Sequence, residues 1–309
     1  MNYPILSIII CTYNRCEILS FCLDSLLVQA TTLSSIEIIV IDNNSTDETQ
    51  RVVEKYRRTH PQLSYYLESK QGLSHARNRG YQEAKGDWVG YLDDDAMVEE
   101  NFLKATLQTI TEGQLDIFGG KITPWFKYGQ PRWLKNDFEV NIPPHMKKGP
   151  TSPYLIFGGA MFFNKKILLA SSGFSPKLGM NGTKMAYGEE THFINELHDL
   201  GFAVGIDPKI VIRHIVAKRK LKLWWHIKNR YAKGRDAMYV KNPPGIFNFC
   251  YCLTIKLLYQ IASGFHRIII EKDFYWENYF LLIMKHIAFT FGQITHYFSS
   301  RMLVIKNTG

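Results

Sequence analysis

The chain has 309 residues, of which 46% are hydrophobic and 21% are charged. A chain of this length and composition buries a sizeable core, which excludes a small disulfide scaffold and a largely disordered protein. The net charge of +9 is uneven, because residues 218–309 carry 15 Lys and Arg but only 4 Asp and Glu. Five cysteines without a CxxC pair indicate reduced thiols in a cytoplasmic protein.

Short β-branched runs alternate with amphipathic stretches in the first third of the chain. Strands are predicted at residues 5–11, 37–41, 63–68 and 88–92, and helices at residues 17–29, up to Tyr56, and at 74–84. This alternation predicts an α/β, Rossmann-like fold with a mostly parallel central sheet flanked by helices. In such sheets ligands bind beyond the carboxyl ends of the strands, where the polar segments of this sequence fall.

The middle of the chain has a looser pattern. Prolines interrupt residues 125–153, which we expect to form an extended, partly mobile loop. Residues 155–164 predict a buried strand in which the pair Gly158-Gly159 lets a neighbour approach the backbone closely. Residues 206–216 predict a last strand that carries His214. A helix between these strands begins at the Gly188-Glu189-Glu190 segment, ends at Gly201 and has an apolar stripe made of Phe193, Ile194, Leu197 and Leu200.

The acidic triplet Asp93-Asp94-Asp95 directly follows a hydrophobic run. Three adjacent carboxylates repel one another unless a cation neutralises them, although a solvated acidic turn is the alternative interpretation. The position at the end of a buried strand favours a site for Mg²⁺ or Mn²⁺, with open positions for a diphosphate. Side chains alternate along a strand, so Asp93 and Asp95 share one side and Asp94 faces the other.

Two further groups have both a structural and a chemical interpretation. His214 on the last strand is either a structural histidine or an imidazole ligand of Mn²⁺. Glu189 and Glu190 either cap a helix or provide a general base that takes a proton from an attacking sugar hydroxyl. One base is enough for sugar transfer, because a metal ion can stabilise the leaving nucleoside diphosphate. A glycoside hydrolase would need a pair of carboxyl groups.

Five segments together resemble the family 2 glycosyltransferases of the GT-A fold, of the bacterial surface-polysaccharide type. They lie at residues 7–15, 41–47, 72–80, 91–95 and 188–190, in the order of that family and within about the first 215 residues. The resemblance implies an inverting enzyme that moves a sugar from a nucleoside diphosphate, expected to be a UDP-sugar, to a saccharide or lipid-linked acceptor. It also implies that Mn²⁺ or Mg²⁺ is required.

The resemblance assigns roles to individual residues. Asp95 would be the main metal ligand, with Asp93 shared between the metal and the ribose, and His214 as a late ligand. Glu190 would be the catalytic base and Glu189 an acceptor contact, although the family often has Glu-Asp here, which leaves the choice between the two open. The glycine pair would lie under a sugar. The donor nucleotide would be held by Thr12, Tyr13, Asn14, Arg15, Asp42, Arg77, Asn78, Asp93 and Asp94.

The basic, aromatic segment after Lys218 is predicted to be a separate helical, amphipathic region. We therefore expect a catalytic domain at residues 1–217, with a nucleotide-sugar half at 1–116 and an acceptor half at 117–217, and a helical region at 218–309. No run in this region has the ~20 apolar residues of a spanning helix. An anionic membrane surface is the expected partner, which would place the protein on the cytoplasmic face of the plasma membrane.

Other partners and other functions remain open from the sequence. The helical region could instead pack on the catalytic domain or on a second copy of the chain. The absence of a nucleic-acid motif speaks against nucleic acid as a partner. A non-catalytic, membrane-associated sugar-binding or scaffold protein is the main alternative function. A nucleotidyltransferase is less favoured, because the segment Thr12–Arg15 lacks the glycines of a phosphate-binding loop.

Overall fold

The structure, a computed structural model, describes residues 4–182, 186–237 and 251–307. The chain divides into two compact units. The first, here called the sheet unit, comprises residues 1–125, 137–183 and 189–215. The second, here called the C-terminal unit, comprises residues 126–136, 184–188 and 216–309. The division after Ile215 lies close to the boundary expected after residue 217, but that boundary leaves out the two short segments that join the C-terminal unit.

A sheet of nine strands forms the centre of the sheet unit. The strands are β1 (Leu6–Thr12), β2 (Ile36–Asp42), β3 (Leu63–Leu67), β4 (Trp88–Asp93), β5 (Ala96–Val98), β6 (Ile117–Trp125), β7 (Gly149–Pro150), β8 (Ala160–Asn164) and β9 (Val204–Ile215). Their order is β3-β2-β1-β4-β8-β6-β9-β5, with β7 paired to β9. Strands β1 to β4 are parallel to one another, as are β6 and β9, and β8 runs antiparallel between β4 and β6. The prediction of a mostly parallel sheet is confirmed.

Helices cover both faces of this sheet. They are α1 (Cys16–Ala30), α2 (Thr49–Arg57), α3 (Leu73–Glu83), α4 (Phe102–Glu112), α5 (Lys165–Ala170) and α6 (Glu189–Asp199). Strand β1 shows why its sequence is a continuous apolar run. Ile8 and Ile10 pack with Leu19 and Leu23 of α1, whereas Ile9 joins a second cluster with Ala76 of α3. A central parallel strand is thus buried on both faces.

Three expectations for the middle of the chain need correction. The strand expected at 155–164 begins only at Ala160, because Leu155 belongs to a 3-10 turn and Gly158 and Gly159 form a second turn directly before the strand. Leu200 is 70% exposed and does not belong to the apolar stripe, because α6 ends at Asp199. Gly201 follows with φ of 93°, a conformation that suits glycine at a helix end. The loop expected at 125–153 contributes β7, and its residues 126–136 belong to the C-terminal unit.

The described part of the C-terminal unit contains α7 (Leu223–Asp236), α8 (Leu257–Ile270) and α9 (Trp276–Asn307). Gly234 of α7 and Gly292 of α9 lie where these two helices meet. A methyl group on Gly234 would overlap the carbonyl oxygen of Phe289, and one on Gly292 would overlap that of Tyr231. Two side-chain-free positions therefore allow the backbones of α7 and α9 to touch. None of the described helices is both long enough and apolar enough to cross a membrane.

Candidate active site

The carboxyl ends of β1, β2 and β4 bring the predicted donor-side segments to one edge of the sheet. Thr12 at the end of β1 is paired with Asp42 at the end of β2. On the other side of β1, Cys11 is paired with Asp93 at the end of β4. Side chains at the end of each strand are consequently close neighbours. This is the edge at which ligands bind in open parallel sheets.

Asp94 is the inward-facing member of the acidic triplet. Its carboxylate accepts a hydrogen bond of 2.8 Å from Thr12 Oγ1 and one of 2.8 Å from Arg15 Nη1. Burial raises the pKa of Asp94, whereas the positive charge of Arg15 opposes this rise. Arg15 Nη1 also lies 3.2 Å from Asp95 Oδ2. Thr12 and Arg15, both expected to contact the donor, thus hold the carboxylate of Asp94.

Asp93, Asp95 and His214 form a cluster that could hold a metal ion. One ligand atom of each lies within 4.8 Å of the others. His214 Nε2 is 2.7 Å from Asp95 Oδ1 and 3.7 Å from Asp93 Oδ2. His214 reaches Asp95 because β9 pairs with β5, which follows the triplet, and this pairing sets Ala96 opposite His214. Two carboxylates and one imidazole suit Mn²⁺ or Mg²⁺, and the 38% exposure of the Asp93 side chain leaves room for a further ligand.

Glu139 joins this cluster and was missed from the sequence. Its Oε2 lies 3.1 Å from His214 Nδ1, on the far side of the imidazole ring from Asp95. Its backbone has φ of 65°, which is uncommon for a residue other than glycine. Glu139 lies in the segment expected to be a partly mobile loop, where no motif distinguished it from other acidic residues. Only the fold brings it to His214.

Asn14 and Asp42, both expected to contact the donor, make hydrogen bonds within the loops of this edge. Asn14 Oδ1 accepts hydrogen bonds from the backbone nitrogens of Thr46 at 2.7 Å and Asp47 at 3.3 Å. Asp42 is 2% exposed, and its carboxylate accepts bonds of 2.8 Å from the nitrogen of Ser45 and 2.8 Å from the hydroxyl of Tyr65. Because both Asp42 oxygens have partners, its expected bond to a uracil-like imide would compete with existing contacts. Tyr13 lies half-buried between Thr12 and Asn14.

Asn43 is a second residue that was missed from the sequence. Its side-chain nitrogen donates to the carbonyl oxygens of Glu68 at 3.2 Å and Lys70 at 2.7 Å. Its side-chain oxygen accepts a bond of 2.8 Å from the nitrogen of Gly72. Gly72 has φ of 138° and immediately precedes α3. Asn43 thus connects the end of β2 to the start of the helix that carries Arg77.

Arg77 and Asn78, both expected to support the nucleotide, have hydrogen-bond partners within the protein. The buried Arg77 donates through Nη1 to Glu189 Oε1 at 2.9 Å and lies 3.9 Å from Glu190 Oε2. Asn78 exchanges two hydrogen bonds with the backbone of Phe174, donating at 2.8 Å and accepting at 2.9 Å. Asn78 therefore braces a loop, because both ends of its amide are engaged there. Arg77 instead anchors the glutamate pair.

Glu189 and Glu190 occupy different environments at the start of α6. The side chain of Glu189 is 5% exposed and that of Glu190 is 21% exposed. Burial, followed by the charge of Glu190, raises the pKa of Glu189 to about 8, although Arg77 opposes this rise. At neutral pH Glu189 is thus mostly protonated. One oxygen of each carboxyl group, Oε2, is buried without a hydrogen-bond partner in the structure.

The glycine pair lies between the glutamates and the metal cluster. A methyl group on Gly158 would overlap Arg77 Nη2, and one on Gly159 would lie 3.2 Å from Asp93 Oδ2. The groups that approach the backbone of this pair closely are therefore the side chains of Arg77 and Asp93. The expected position of the glycine pair under a bound sugar stays a prediction. The two glycines thus lie next to both groups, with Gly158 beside Arg77, which binds Glu189, and Gly159 beside Asp93.

The sheet, the acidic cluster and the glutamate pair together define a GT-A type enzyme of the glycosyltransferase class. The sequence model described as glycosyl transferase family 2 matches residues 7–169. Because this match covers more than half of the chain, the protein belongs to glycosyl transferase family 2. The resemblance first seen in the five motifs is confirmed.

Curated relatives are similar over different parts of the chain. EpsJ of Bacillus subtilis, an uncharacterized glycosyltransferase, is 34% identical over 116 residues, which are 38% of this chain and 33% of that protein. A GalNAc(5)-diNAcBac-PP-undecaprenol β-1,3-glucosyltransferase of Campylobacter jejuni is 35% identical over 118 residues, 38% of each chain. The succinoglycan biosynthesis protein ExoM of Rhizobium meliloti is 25% identical over 229 residues, 73% of this chain and 72% of ExoM. The matches to EpsJ and the Campylobacter enzyme thus span well under half of those proteins.

Solved structures show the same fold. The mannosyltransferase PcManGT of Pyrobaculum calidifontis, in complex with GDP-Man and Mn²⁺, has a TM-score of 0.64 at 18% identity, covering 93% of this chain and 87% of that one. TarS of S. aureus, in complex with UDP, has a TM-score of 0.56 at 16% identity, covering 95% and 91% of the two chains. Both similarities confirm the GT-A fold. At 18% and 16% identity these similarities show the fold alone and do not assign a ligand to this protein.

Proposed function

We propose that the protein is a metal-dependent, inverting glycosyltransferase that moves a sugar from a nucleoside diphosphate, in our proposal UDP, to a saccharide or lipid-linked acceptor. The observation that carries this proposal is that the adjacent residues Gly158 and Gly159 lie beside both the metal cluster and the arginine that binds the glutamate pair. Asp93 touches Gly159, and Arg77, which holds Glu189, touches Gly158. A metal-bound diphosphate and a general base would then act on the same sugar from neighbouring positions.

Asp93, Asp95 and His214 are the residues that would hold Mn²⁺ or Mg²⁺ in this proposal. The bound ion would draw negative charge from the diphosphate and so make it a better leaving group. Arg15 adds a second positive charge beside Asp95, at 3.2 Å from its Oδ2. Arg15 thus holds one oxygen of Asp95, which limits the orientations that its carboxylate can take. A fixed ligand costs less reorganisation when an ion binds.

Glu190 is the proposed base. The acceptor hydroxyl oxygen attacks the anomeric carbon while its proton passes to Glu190, and the bond to the diphosphate oxygen breaks with its electron pair. Such a single displacement inverts the configuration of the anomeric carbon. Glu189 is unsuited to this role, because a carboxyl group with a pKa of about 8 already carries a proton at neutral pH. The hydrogen bond that Arg77 donates to Glu189 instead positions the start of α6.

The acceptor and the biological setting are proposed from the named relatives. The Campylobacter enzyme is named for an undecaprenol-linked glycan, and ExoM for succinoglycan biosynthesis. We infer a corresponding role in the assembly of a surface polysaccharide or glycan. A lipid-linked acceptor would place the reaction at the cytoplasmic face of the plasma membrane. The bound nucleotides of the similar structures, GDP-Man and UDP, differ, so a donor panel needs both bases.

The test is a panel of UDP- and GDP-sugars with the full chain, with and without Mn²⁺. Thermal stabilisation reports binding, because a ligand that binds only the native state raises the melting temperature. Release of nucleoside diphosphate reports chemistry. One donor should stabilise the protein only with the metal ion, and Asp95→Asn should abolish both signals. Glu190→Gln should retain the stabilisation and lose the release.

The outcomes separate the candidate functions. Stabilisation by a nucleotide sugar without any release, in the presence of a range of saccharide acceptors, would favour the non-catalytic sugar-binding alternative. Release of pyrophosphate from a nucleoside triphosphate and a sugar phosphate would favour a nucleotidyltransferase. If neither UDP- nor GDP-sugars bind in the presence of Mn²⁺ or Mg²⁺, the proposal is wrong. Glu196→Gln is the matched control, because Glu196 is an exposed glutamate on the same helix.

A further inference from the structure

Helix α8 in the C-terminal unit exposes a broad apolar face. Along it, exposed side chains recur at the spacing of one side of a helix, beginning in the turn before α8. They are Tyr251 at 47%, Ile255 at 58%, Leu258 at 65%, Phe265 at 61% and Ile269 at 68% exposure. Tyr259, Ile261, Ile268 and Ile270 widen this face on both sides. The opposite side of α8 is where Gly264 meets Tyr279 of α9. Side chains of this size rarely form so continuous an exposed surface in a protein that has no partner.

Charged side chains of both signs border the apolar face, because the exposed Glu271 and Asp273 lie beside Lys272, and Glu271 pairs with Arg267 at 2.7 Å. Lys256 and Lys272 are exposed near its two ends, and Lys256 Nζ lies 5.6 Å from the centre of the Tyr251 ring. Trp276, at the start of α9, is 60% exposed. Apolar side chains bordered by lysines and a tryptophan are the pattern of a helix that lies in the interface of a membrane. Phosphate headgroups would meet the lysines while the apolar side chains enter the acyl region.

We propose that α8 and the turn before it are the surface by which this protein binds an anionic lipid bilayer, lying parallel to it. A second copy of the chain is the alternative occupant. Charge argues against it, because residues 218–309 carry 15 Lys and Arg against 4 Asp and Glu. Two such units would repel each other, whereas an anionic headgroup layer attracts each one. The proposal concerns residues outside the sheet unit and so does not depend on the transfer reaction.

Flotation with lipid vesicles tests this proposal without any donor. The full chain should float with vesicles that contain phosphatidylglycerol, and less with vesicles of phosphatidylcholine alone or at high salt. The triple variant Leu258→Ser, Phe265→Ser, Ile269→Ser should lower vesicle affinity by about 100-fold, because it removes three inserted apolar side chains. Its release of nucleoside diphosphate from free donor should be unchanged.

A control variant removes as much exposed apolar surface from the sheet unit. Val28→Ser, Leu169→Ser, Leu200→Ser replaces side chains that are 74%, 61% and 70% exposed and should float like the unchanged protein. Substitutions at exposed positions should leave the fold intact, which circular dichroism checks. Equal flotation of both triple variants would overturn the proposal. So would the absence of flotation, and a dimer that only the α8 variant dissociates would assign the face to a second copy.

A second inference concerns Glu139 and rests on the proposed metal site. We infer that Glu139 is a positioning residue that orients His214 toward the ion. Glu139 Oε2 lies 3.1 Å from Nδ1, while Nε2 faces Asp95 at 2.7 Å. A carboxylate that accepts a hydrogen bond from Nδ1 leaves the Nε2 lone pair for a metal. The left-handed backbone of Glu139, with φ of 65°, is retained despite its cost, which is consistent with a demand on the side chain.

Mn²⁺ binding, followed by the electron paramagnetic resonance signal of the free ion, tests this role apart from activity. Glu139→Ala should weaken binding by about 10–100-fold, as loss of a residue that orients a ligand usually does. Glu139→Gln should recover part of the affinity, because its amide oxygen still accepts from Nδ1. Glu139→Gly removes the carboxylate but relaxes the backbone, and should bind as weakly as the alanine variant.

Two results would overturn the inference on Glu139. The first is unchanged Mn²⁺ affinity in Glu139→Ala while His214→Ala loses affinity. The second is full affinity in Glu139→Gly, which would assign the effect to the backbone. Failure of the transfer proposal alone would look different, because Mn²⁺ binding and its dependence on Glu139 would persist without any release of nucleoside diphosphate.

Discussion

Arg77 Nη1 lies 2.9 Å from Glu189 Oε1 and 3.9 Å from Glu190 Oε2, so one buried cation faces two carboxyl groups. Burial, followed by the negative charge of Glu190, raises the pKa of Glu189 to about 8, and the positive charge of Arg77 opposes this rise. Glu189 therefore tends to keep a proton at neutral pH, and Glu190 is the more exposed carboxyl group of the pair. The difference in burial, with the Glu189 side chain 5% exposed and the Glu190 side chain 21% exposed, separates the two residues.

Glu190→Gln should lower kcat by about 10²–10⁴-fold, because a general base contributes an effect of that size. The KM for the donor should change little, since Glu190 has no proposed contact with the nucleotide. Steady-state kinetics with the donor found in the panel would measure both constants. Glu196→Gln should behave like the unchanged enzyme. A loss of kcat in Glu189→Gln but not in Glu190→Gln would reverse the assignment.

Glu189 should make stability depend on pH. Its pKa is raised from 4.5 to about 8 in the folded protein, so the folded state binds a proton that the unfolded chain has lost between these values. The contribution of Glu189 to the free energy of unfolding therefore falls as pH rises through this window. Glu189→Gln removes this titration. Urea denaturation at several pH values should show the unchanged protein losing stability relative to the variant, and parallel curves would contradict this.

Gly158→Ala should disturb the site through Arg77, because the added methyl group would overlap the guanidinium. We expect kcat to fall by at least about 10-fold, as a small misplacement near the reacting centre can be costly. Arg77→Lys has a narrower head group that leaves space for the methyl. In the Arg77→Lys background, Gly158→Ala should therefore have little further effect, and a double-mutant cycle measures this. Additive losses would show that Gly158 acts independently of Arg77.

Arg15→Gln should destabilise the protein, because it removes the charge that faces the buried Asp94. We expect a loss of about 2 kcal/mol, less than for a fully buried pair because the Arg15 side chain is 31% exposed. Chemical denaturation at neutral pH would measure this. Arg57→Gln is the control, since its pair with Glu54 is exposed and should contribute at most about 0.5 kcal/mol. Equal losses in both variants would contradict a structural role for Arg15.

The sequence was most informative where local pattern and fold agree. The alternation of apolar runs and amphipathic stretches predicted the strands and helices around β1 to β4, because a parallel sheet requires that order. The strand end at Asp93 was also predictable, since a charged triplet cannot continue a buried strand. The period of two along an extended chain predicts that Asp94 points away from Asp93 and Asp95, but the strand ends at Asp93 and Asp94 and Asp95 lie in a turn. There Asp94 contacts Thr12 and Arg15, and Arg15 also lies 3.2 Å from Asp95.

The remaining features depend on long-range contacts that no local pattern encodes. Glu139 meets His214 across 75 positions of sequence, and Arg77 meets Glu189 across 112. The resemblance to the family implies that Arg77 and Asn78 support the nucleotide. On α3, however, Arg77 points to the glutamates and Asn78 to Phe174. The C-terminal helices were expected from composition, but the exposed side of α8 is a property of its packing on α9.

The members of the acidic triplet have different partners, since Asp94 contacts Thr12 and Arg15, whereas Asp93 and Asp95 lie beside His214 and Asp95 is also 3.2 Å from Arg15. The role of each aspartate consequently depends on its position after β4 as much as on its charge. Removing one residue just before the triplet would keep three carboxylates yet shift each of them by one position along the turn that follows β4, away from its present partner. Length at this strand end is therefore under tighter constraint than composition. Natural variation should substitute one acidic position before it shortens the segment.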